Sequence, residues 1–287
     1  MKRLIVNADD FGLHSAVNRG IIEGYRKGCI RSTSFVAAGA AAEEAAALAR
    51  ENPGLGVGLH LTLVAEWPVL PPEKIPSLVE ADGRLLPDHT AFIRRYMTGG
   101  VRMGELRAEC EAQILRARRM GVCLTHIDSH QHLHVLPGVS RLVLALAKEY
   151  GFSKMRFPGE AVLFKGGFPA SVGRYVAKCG LTFCACMAKR EMQQAGILTP
   201  DAFFGMLAGG NMFLDHFLAI LRALPDGVSE IMVHPGTDNR VLDSIYHWRY
   251  HWEEELASVT SGEAQNYVET HGIRLISYGE LTNGEIL

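Results

Sequence analysis

Short apolar runs alternate with amphipathic stretches along nearly the whole sequence, and this alternation restricts the fold more than any other feature. The apolar runs are typical of buried strands and lie at 3–8, 32–37, 55–63, 122–128, 154–157, 229–234 and 273–277. Helical spacing of apolar residues occupies 17–27, 40–50, 102–120, 138–150, 215–224 and 249–259. Strands that alternate with helices form a parallel sheet with crossover connections. We therefore predict an α/β fold.

The length of the chain and two irregular stretches bear on its division into domains. A chain of 287 residues can form one α/β barrel or two domains. The stretch at about 66–88 holds five prolines, and the stretch at about 164–210 mixes Gly, Cys and short helical pieces without a clear period. Both keep large apolar residues, such as Trp67 and Phe203, which flexible linkers lack. We predict a single (β/α) barrel-like domain over 1–287, distorted or seven-stranded, with loop-rich insertions at these two places.

The charge balance bears on the class of partner. The sequence has 29 Lys and Arg against 31 Asp and Glu, for a net charge of −2. A protein that binds duplex DNA through its phosphates usually carries a basic excess. We therefore expect no nucleic-acid partner and a neutral or locally polar ligand.

Cysteine usage and the first residues of the sequence predict a cytoplasmic protein. The six cysteines are scattered, and the one close pair, Cys184 and Cys186, has C-x-C spacing, so we expect no disulfide scaffold. The N-terminal apolar run turns polar at Asn7, too early for a signal peptide. The apolar stretches also fall short of the ~20 residues that a spanning helix needs. Peripheral membrane contact and a homo-oligomer both stay open.

A cluster of histidines is the strongest indication of chemistry. Four of the 12 histidines lie close together: His126, His130, His132 and His134. If 122–128 is a strand, His126, Asp128 and His130 point to one side near its carboxyl end, which is where parallel α/β folds place their active sites. Neutral imidazoles are good metal ligands, and a neighbouring carboxylate can fix their tautomer. We interpret the cluster as part of a metal site; a solvated, His-rich loop is the alternative.

Three other predicted strands also end in polar side chains. Asp9 and Asp10 follow the first strand; a helix N-cap would explain one of them but not both. His60 interrupts an apolar strand, where a lone imidazole is more often a hydrogen-bonded core residue, and His234 is equally well explained as a turn residue. An Asp-His-His set leaves open positions on an ion, as catalytic metals need, and would also suit non-haem iron. The spare carboxylate favours water activation, and hence hydrolysis.

Four segments in the same order carry a resemblance to a known family: Asn7-Ala-Asp-Asp-Phe-Gly12, Gly58-Leu-His-Leu61, Thr125-His-Ile-Asp-Ser-His-Gln-His-Leu-His134 and Met232-Val-His-Pro-Gly236. Together they resemble the YdjC-like carbohydrate deacetylases, which include chitooligosaccharide deacetylases and the deacetylase associated with hopanoid biosynthesis. The segments 69–79, 82–83 and 203–206 resemble the hopanoid-associated branch.

The resemblance implies roles for individual residues. Asp10, His60 and His130 would hold one divalent metal ion, Mg or Zn, and Asp9 would be the general base. His234 is then the candidate general acid. Arg156 would hydrogen-bond Asp9 and tune it, although an ordinary surface arginine is an equal alternative. The remaining polar residues of the cluster would surround the ligands or face the substrate: His126, Asp128, His132 and His134.

The implied activity is hydrolysis of an N-acetyl group on an N-acetylglucosamine unit. The substrate would be an acetylated amino sugar linked to a lipid, as in a hopanoid glycolipid; a chitooligosaccharide is the alternative. Two other classes stay open, an amidohydrolase or phosphoesterase and a non-catalytic, metal-dependent sugar-binding protein. The amidohydrolase pattern places His-x-His on the first strand, where this sequence has Asp9 and Asp10.

Two stretches have no assigned function. Cys179 to Cys186 has no counterpart that we know in the family, and we expect small buried hydrophobic residues there. The stretch from Tyr246 to Trp252 is dense in aromatic residues. It could be a sugar platform, a helix packed on the barrel or a subunit contact, and we favour packing.

Overall fold

A computed structural model describes residues 1–282 and has a parallel sheet at its centre. Seven strands form within these residues: β1 (Lys2–Phe11), β2 (Ser32–Phe35), β3 (Gly56–Leu61), β4 (Leu124–Ser129), β5 (Ala202–Phe204), β6 (Gly227–Val233) and β7 (Arg274–Leu275). The strand order is β4-β3-β2-β1-β6-β5, with β7 beside the start of β1. Every pairing of these strands is parallel.

Helices connect the strands, as parallel pairing requires. Those in the described residues are α1 (Ser15–Lys27), α2 (Ala42–Glu51), α3 (His89–Met97), α4 (Met103–Arg119), α5 (Val139–Glu149), α6 (Val172–Gln194), α7 (Leu214–Ala223), α8 (Asn239–Tyr246), α9 (Trp252–Thr260) and α10 (Gly262–Thr270). Among residues 1–282, none of the helices combines the length and the apolar character needed to cross a bilayer.

The sheet curls toward a barrel. Isolated parallel bridges join Ile127 of β4 to Met155, and Lys154 to Leu198 in the segment that leads into β5. These bridges continue the parallel arrangement from one edge of the sheet toward the other. The α/β, barrel-like fold predicted from the sequence is therefore confirmed. The extent of the domain and its insertions stay predictions.

Successive side chains of strand β1 point alternately into the helix-covered core and into the interior of the curled sheet. Leu4, Val6 and Ala8 are completely buried in the large core between the sheet and its helices. Side chains at successive positions point to opposite faces, so Asn7 and Asp9 point to the other side, into the interior of the curled sheet. That interior is polar near the carboxyl ends of the strands, and the candidate site lies there.

The stretch at 164–210 differs most from its loop-like appearance, because it holds the 23-residue helix α6 and the strand β5. The period of α6 is hidden in the sequence because its solvent face is apolar as well: Val172, Val176 and Phe183 are all exposed. An outward face with large apolar residues weakens the contrast between the two faces of the helix, on which detection of the helical period depends. At 154–157, the expected strand is reduced to the two bridges at Lys154 and Met155.

The proline-rich stretch at 66–88 is held against the body of the fold by one buried carboxylate. Glu109 of α4 accepts hydrogen bonds from the backbone N–H groups of Val69 and Leu70, at 2.8 and 2.9 Å. A short 3₁₀ turn at Pro72–Lys74 and the helix α3, which the sequence did not predict, follow in this region. Fixed contacts therefore hold this stretch in place.

Candidate metal centre

Three ligand-type side chains meet where β1, β3 and β4 end. The Oδ1 atom of Asp10 lies 3.5 Å from Nε2 of His60 and 3.2 Å from Nδ1 of His130. All three side chains are buried, and one donor atom from each lies within 4.8 Å of the others. The structure therefore brings together the three residues predicted as ligands.

Asp10 is an unsatisfied carboxylate. Both of its oxygens are buried and lack a hydrogen-bond partner among the described residues. Burial raises the pKa of Asp10, but the charges of His130 and His60 outweigh it and hold the pKa well below its usual value. Asp10 also has a φ of 71°, a left-handed conformation that costs a non-glycine residue energy and is often found at functional sites. A buried, ionised carboxylate of this kind needs a cation beside it.

A second carboxylate fixes the orientation of His60. Nδ1 of His60 lies 2.8 Å from Oδ1 of Asp128, which leaves Nε2 free to face Asp10. Burial lowers the pKa of His60, but Asp128, Asp9 and Asp10 raise it to about 9. The surrounding carboxylates thus favour positive charge at this position. A carboxylate behind a ligating imidazole is a common arrangement in metal sites.

The donor spacing fits a bound ion. Two donors each about 2.1 Å from an ion, at an angle near 100°, lie about 3.2 Å apart. The separations of 3.2 and 3.5 Å from Asp10 to the two imidazoles match this value. Asp10, His60 and His130 can therefore hold a metal ion.

A buried arginine organises the carboxylates around these three residues. Nη1 and Nη2 of Arg156 bind the two oxygens of Asp9, each at 2.6 Å. Nη1 also lies 2.8 Å from Asp128, and Nε donates to Glu230 at 2.9 Å. Arg156 has no exposed surface, so it is not an ordinary surface arginine. Its bidentate grip fixes the direction of the Asp9 carboxylate.

Asp9 is held from a second side as well. Nδ2 of Asn7 donates to Oδ1 of Asp9 at 2.8 Å and also to Oγ of Ser34 at 2.8 Å. Neither Asp9 nor Asp10 caps helix α1, because the N-cap residue is His14, whose side chain accepts from Ala16 N–H. The helix-cap explanation for the two aspartates is therefore wrong.

His234 follows β6 and faces the same space. Its Nδ1 is buried, lacks a hydrogen-bond partner in the described part of the chain, and lies 3.8 Å from Oε2 of Glu255. The same carboxylate oxygen accepts the backbone N–H of His234 at 2.5 Å. Its ring lies beside Tyr250, with centroids 5.0 Å apart. Glu255 thus fixes the position of this histidine.

The other histidines of the cluster lie deeper or to one side. His126 stacks on Tyr278 with ring centroids 3.7 Å apart, and burial lowers its pKa to about 3. His134 lies 2.7 Å from Oγ of Ser129, and burial lowers its pKa to about 4. Burial also lowers the pKa of His132, whose ring meets that of Phe203 edge-on. Burial therefore favours the neutral form of all three rings.

Part of the aromatic stretch lines the site. Trp248 lies beside His130, with ring centroids 5.2 Å apart, and Tyr250 lies beside both Trp248 and His234. Helix α9 starts only at Trp252, whose side chain is fully buried. Trp252 packs in the core, as we favoured from the sequence, whereas Trp248 and Tyr250 border the candidate metal site.

Several residues of the site were missed by sequence reasoning. The sequence could have indicated Glu230 as a site residue, because it is a charged residue inside the apolar run of β6. Burial raises the pKa of Glu230 to about 7, and Tyr278 donates its hydroxyl to it at 2.6 Å. Glu255 gave no signal, since it lies on a helix rich in glutamate.

The fold and this group of residues define a class: a barrel-like α/β protein with an Asp-His-His group, able to hold a metal ion, at the carboxyl ends of its parallel strands. The model of the family described as YdjC-like protein matches residues 3–270. The chain belongs to the YdjC-like family, as its motifs predicted.

Two curated relatives and one solved structure match over nearly their whole length. A carbohydrate deacetylase of Brevibacillus brevis is 33% identical over 281 residues, which are 97% of this chain and 99% of the relative. A chitooligosaccharide deacetylase of Serratia marcescens is 32% identical over 289 residues, covering 98% and 99%. The crystal structure of an Enterococcus faecalis protein, described as a candidate for cellobiose-phosphate cleavage, has 28% identity and a TM-score of 0.78, covering 98% and 99%.

Proposed function

We propose that the chain is a metal-dependent hydrolase that removes the acetyl group from an acetylated amino sugar. One observation carries the proposal: the buried, unpartnered carboxylate of Asp10 faces two imidazoles. A second carboxylate, Asp9, is held next to it by Arg156. The relatives named carbohydrate deacetylases support this class of reaction.

Asp10, His60 and His130 are the proposed ligands of one divalent ion, either Mg or Zn. When bound, such an ion would polarise the acetamide carbonyl and make a water molecule more acidic. Two imidazoles and one carboxylate accept several divalent metals, so availability would decide between them.

Asp9 is the proposed general base. As the water oxygen attacks the acetyl carbon, Asp9 takes the proton that the water loses. Its Oδ1 accepts from Asn7 and Arg156, whereas Oδ2 accepts a hydrogen bond from Arg156 alone among residues 1–282. One lone pair on Oδ2 therefore stays available for the proton of the water.

His234 is the proposed general acid. The C–N bond of the tetrahedral intermediate breaks to give acetate and a sugar amine, and the nitrogen must gain a proton as it leaves. If Nδ1 faces Glu255 and closes the 3.8 Å gap when substrate is bound, Nε2 is the nitrogen that delivers the proton. Glu255 would then stabilise the imidazolium before it gives up that proton.

For the substrate, we propose an N-acetylglucosamine unit on a hopanoid glycolipid, with a chitooligosaccharide as the alternative. The segments 69–79 and 203–206 support the first substrate by their resemblance to the hopanoid-associated branch. The Serratia marcescens relative supports the second by its name. Trp248, beside His130, offers an aromatic surface next to the reacting groups in either case.

Metal affinity tests the ligand assignment. We expect Asp10→Asn to weaken Zn²⁺ binding by more than about 100-fold, since loss of a partner that only supports a ligand already costs about 10–100-fold. Isothermal titration of the metal-stripped protein measures this. Asp215→Asn, which alters an exposed aspartate on α7, is the matched control and should bind like the wild type. Equal affinity in Asp10→Asn would place the ion elsewhere.

Acetate release tests the activity and separates the two substrates. The metal-loaded protein is incubated with acetylglucosaminyl hopanoid and with diacetylchitobiose, and free acetate is measured in both. We expect faster release from the hopanoid glycolipid. Preference for diacetylchitobiose would support the alternative, and inertness toward both, with metal still bound, would favour a sugar-binding protein without catalysis.

A further inference from the structure

Helix α6 exposes an apolar face. Four large side chains on it are 47–82% exposed, and the two large residues Val162 and Leu163, in the loop before it, are 46 and 89% exposed. We name these six side chains the α6 apolar face: Val162, Leu163, Val172, Val176, Phe183 and Met187. Scattered single apolar residues are normal on a protein surface, but a contiguous group usually marks an interaction site.

The charged residues in the first part of α6 point the other way. Nζ of Lys178 is buried, donates to the carbonyl of Phe164 and pairs with Glu160 at 3.2 Å. Arg174 is half-buried and donates to the carbonyl of Gly209 at 2.7 Å. In this part of α6, charged side chains point toward the protein and apolar side chains toward solvent, the reverse of an ordinary surface helix.

The first part of the face, Leu163 and Val172, lies at the same edge of the sheet as the candidate metal site, and the rest of the face follows α6 away from that edge. Leu163 and Val172 line a surface cavity of about 570 Å³ together with Leu207. Leu207 comes directly after β5, so it lies at the carboxyl ends of the strands. The loops at this edge also carry Asp10, His130 and the other site residues.

The segment that carries the face has charges of one sign. Residues 161–190 contain five Lys and Arg and no Asp or Glu. Lys165 and Arg190 are exposed. The two flanking acids are already paired, Glu160 with Lys178 and Glu191 with Arg141 at 2.9 Å. Any partner therefore meets apolar side chains bordered by cations.

We propose that the α6 apolar face docks the protein on an anionic lipid bilayer. Apolar side chains that enter the interface, together with basic residues that meet anionic headgroups, are the two components of peripheral membrane binding. A second copy of the chain fits less well. In a twofold contact the same surface meets itself, so the cations of the two copies would face each other without carboxylates from this segment.

This proposal stands independently of the proposed function, because it rests on the surface of α6 and not on the metal site. Docking in this orientation lays α6 along the membrane and brings its first turn, at the carboxyl edge of the sheet, next to the lipid. A substrate anchored in a bilayer could then present its polar part to the site without leaving the lipid.

Vesicle flotation of the full-length protein tests the proposal. We expect binding to vesicles of phosphatidylcholine mixed with phosphatidylglycerol and weaker binding to phosphatidylcholine alone. Leu163→Gln combined with Phe183→Gln should lower the partition coefficient on anionic vesicles by about tenfold or more, since each change removes an apolar side chain from the interface. Lys165→Gln with Arg190→Gln should remove most of the preference for phosphatidylglycerol.

Met97→Gln is the matched control, because Met97 is 76% exposed but lies at the end of α3, outside the α6 apolar face. It should float like the wild type. All these positions are exposed, so thermal unfolding should stay unchanged and acetate release from a water-soluble substrate should not fall. Absence of binding to anionic vesicles, or equal binding by the Leu163/Phe183 variant, would overturn the proposal. A dimer in analytical ultracentrifugation that Phe183→Gln dissociates would assign the face to a second copy instead.

Discussion

Replacement of Asp9 by Asn is expected to lower kcat for acetate release by about 10²–10⁴-fold, the range that a positioned general base contributes. Asn keeps the size of the side chain but cannot accept the proton of the attacking water. The proposed ligands Asp10, His60 and His130 are unchanged, so the affinity for the ion should stay close to that of the wild type. Steady-state kinetics and metal titration on the same preparation measure both quantities.

The combination of the two readouts decides the role of Asp9. Loss of both activity and metal affinity would show that the substitution disrupts the Arg156 contacts and the site as a whole. Full activity with bound metal would reject Asp9 as the base. The assignment requires lost turnover at a retained metal affinity.

Arg156→Met should cause the largest loss of stability. The guanidinium is completely buried and contacts Asp9, Asp128 and Glu230 within 2.9 Å. Removing one partner from a buried ion network leaves uncompensated charges, which typically costs about 3–5 kcal/mol. For a chain of this size that corresponds to a decrease in Tm of about 10 °C. Thermal or urea unfolding followed by circular dichroism measures it.

The pH dependence of this loss identifies its cause. Without Arg156 the three carboxylates bind protons more readily in the folded state, so the stability deficit should shrink as the pH falls. In the native protein, Glu230 already binds a proton more readily than an ordinary glutamate does. Its folded-state pKa of about 7 lies above the ordinary 4.5, so its contribution to stability is present below pH 4.5 and is lost as the pH rises through 7.

Arg119→Met is the control for this experiment, since Arg119 is an exposed residue at the end of α4. It should change the free energy of unfolding by no more than about 0.5 kcal/mol at any pH. An equally small effect of Arg156→Met, or a deficit that does not depend on pH, would contradict the buried-charge explanation.

The sequence predicted those site residues whose position is set by the end of a single strand. Asp10, His60 and His130 each follow or interrupt an apolar run, and the carboxyl ends of parallel strands share one edge. Their presence at one edge therefore follows from the fold class, whereas the family resemblance selected these three residues as the ligands. The same alternation of strands and helices predicted the parallel sheet with its helical connections.

Contacts that depend on how distant segments meet could not be derived from the residues alone. The family resemblance suggested that Arg156 contacts Asp9, but a surface arginine was an equal alternative, because Arg156 lies in a segment that barely pairs with the sheet and is 147 residues from Asp9 in the sequence. Tyr278 comes from the end of the described chain and stacks on His126. Helix α6 was missed for another reason: a helix with apolar residues on its outer face has only a weak amphipathic period to detect.

Strand β1 couples folding to assembly of the site, because the same register positions its core residues and its carboxylate. Leu4, Val6 and Ala8 fill the core on one face, whereas Asp9 serves the interior on the other. A slip of one residue would reverse every side chain of the strand, moving the apolar residues inward and the carboxylate into the helix layer. The free energy of unfolding of a typical domain is only about 5–15 kcal/mol, which is too small to offset the burial of carboxylates and the exposure of apolar side chains that such a slip causes. Misregistered chains should therefore be removed by unfolding, without accumulating as folded but inactive protein.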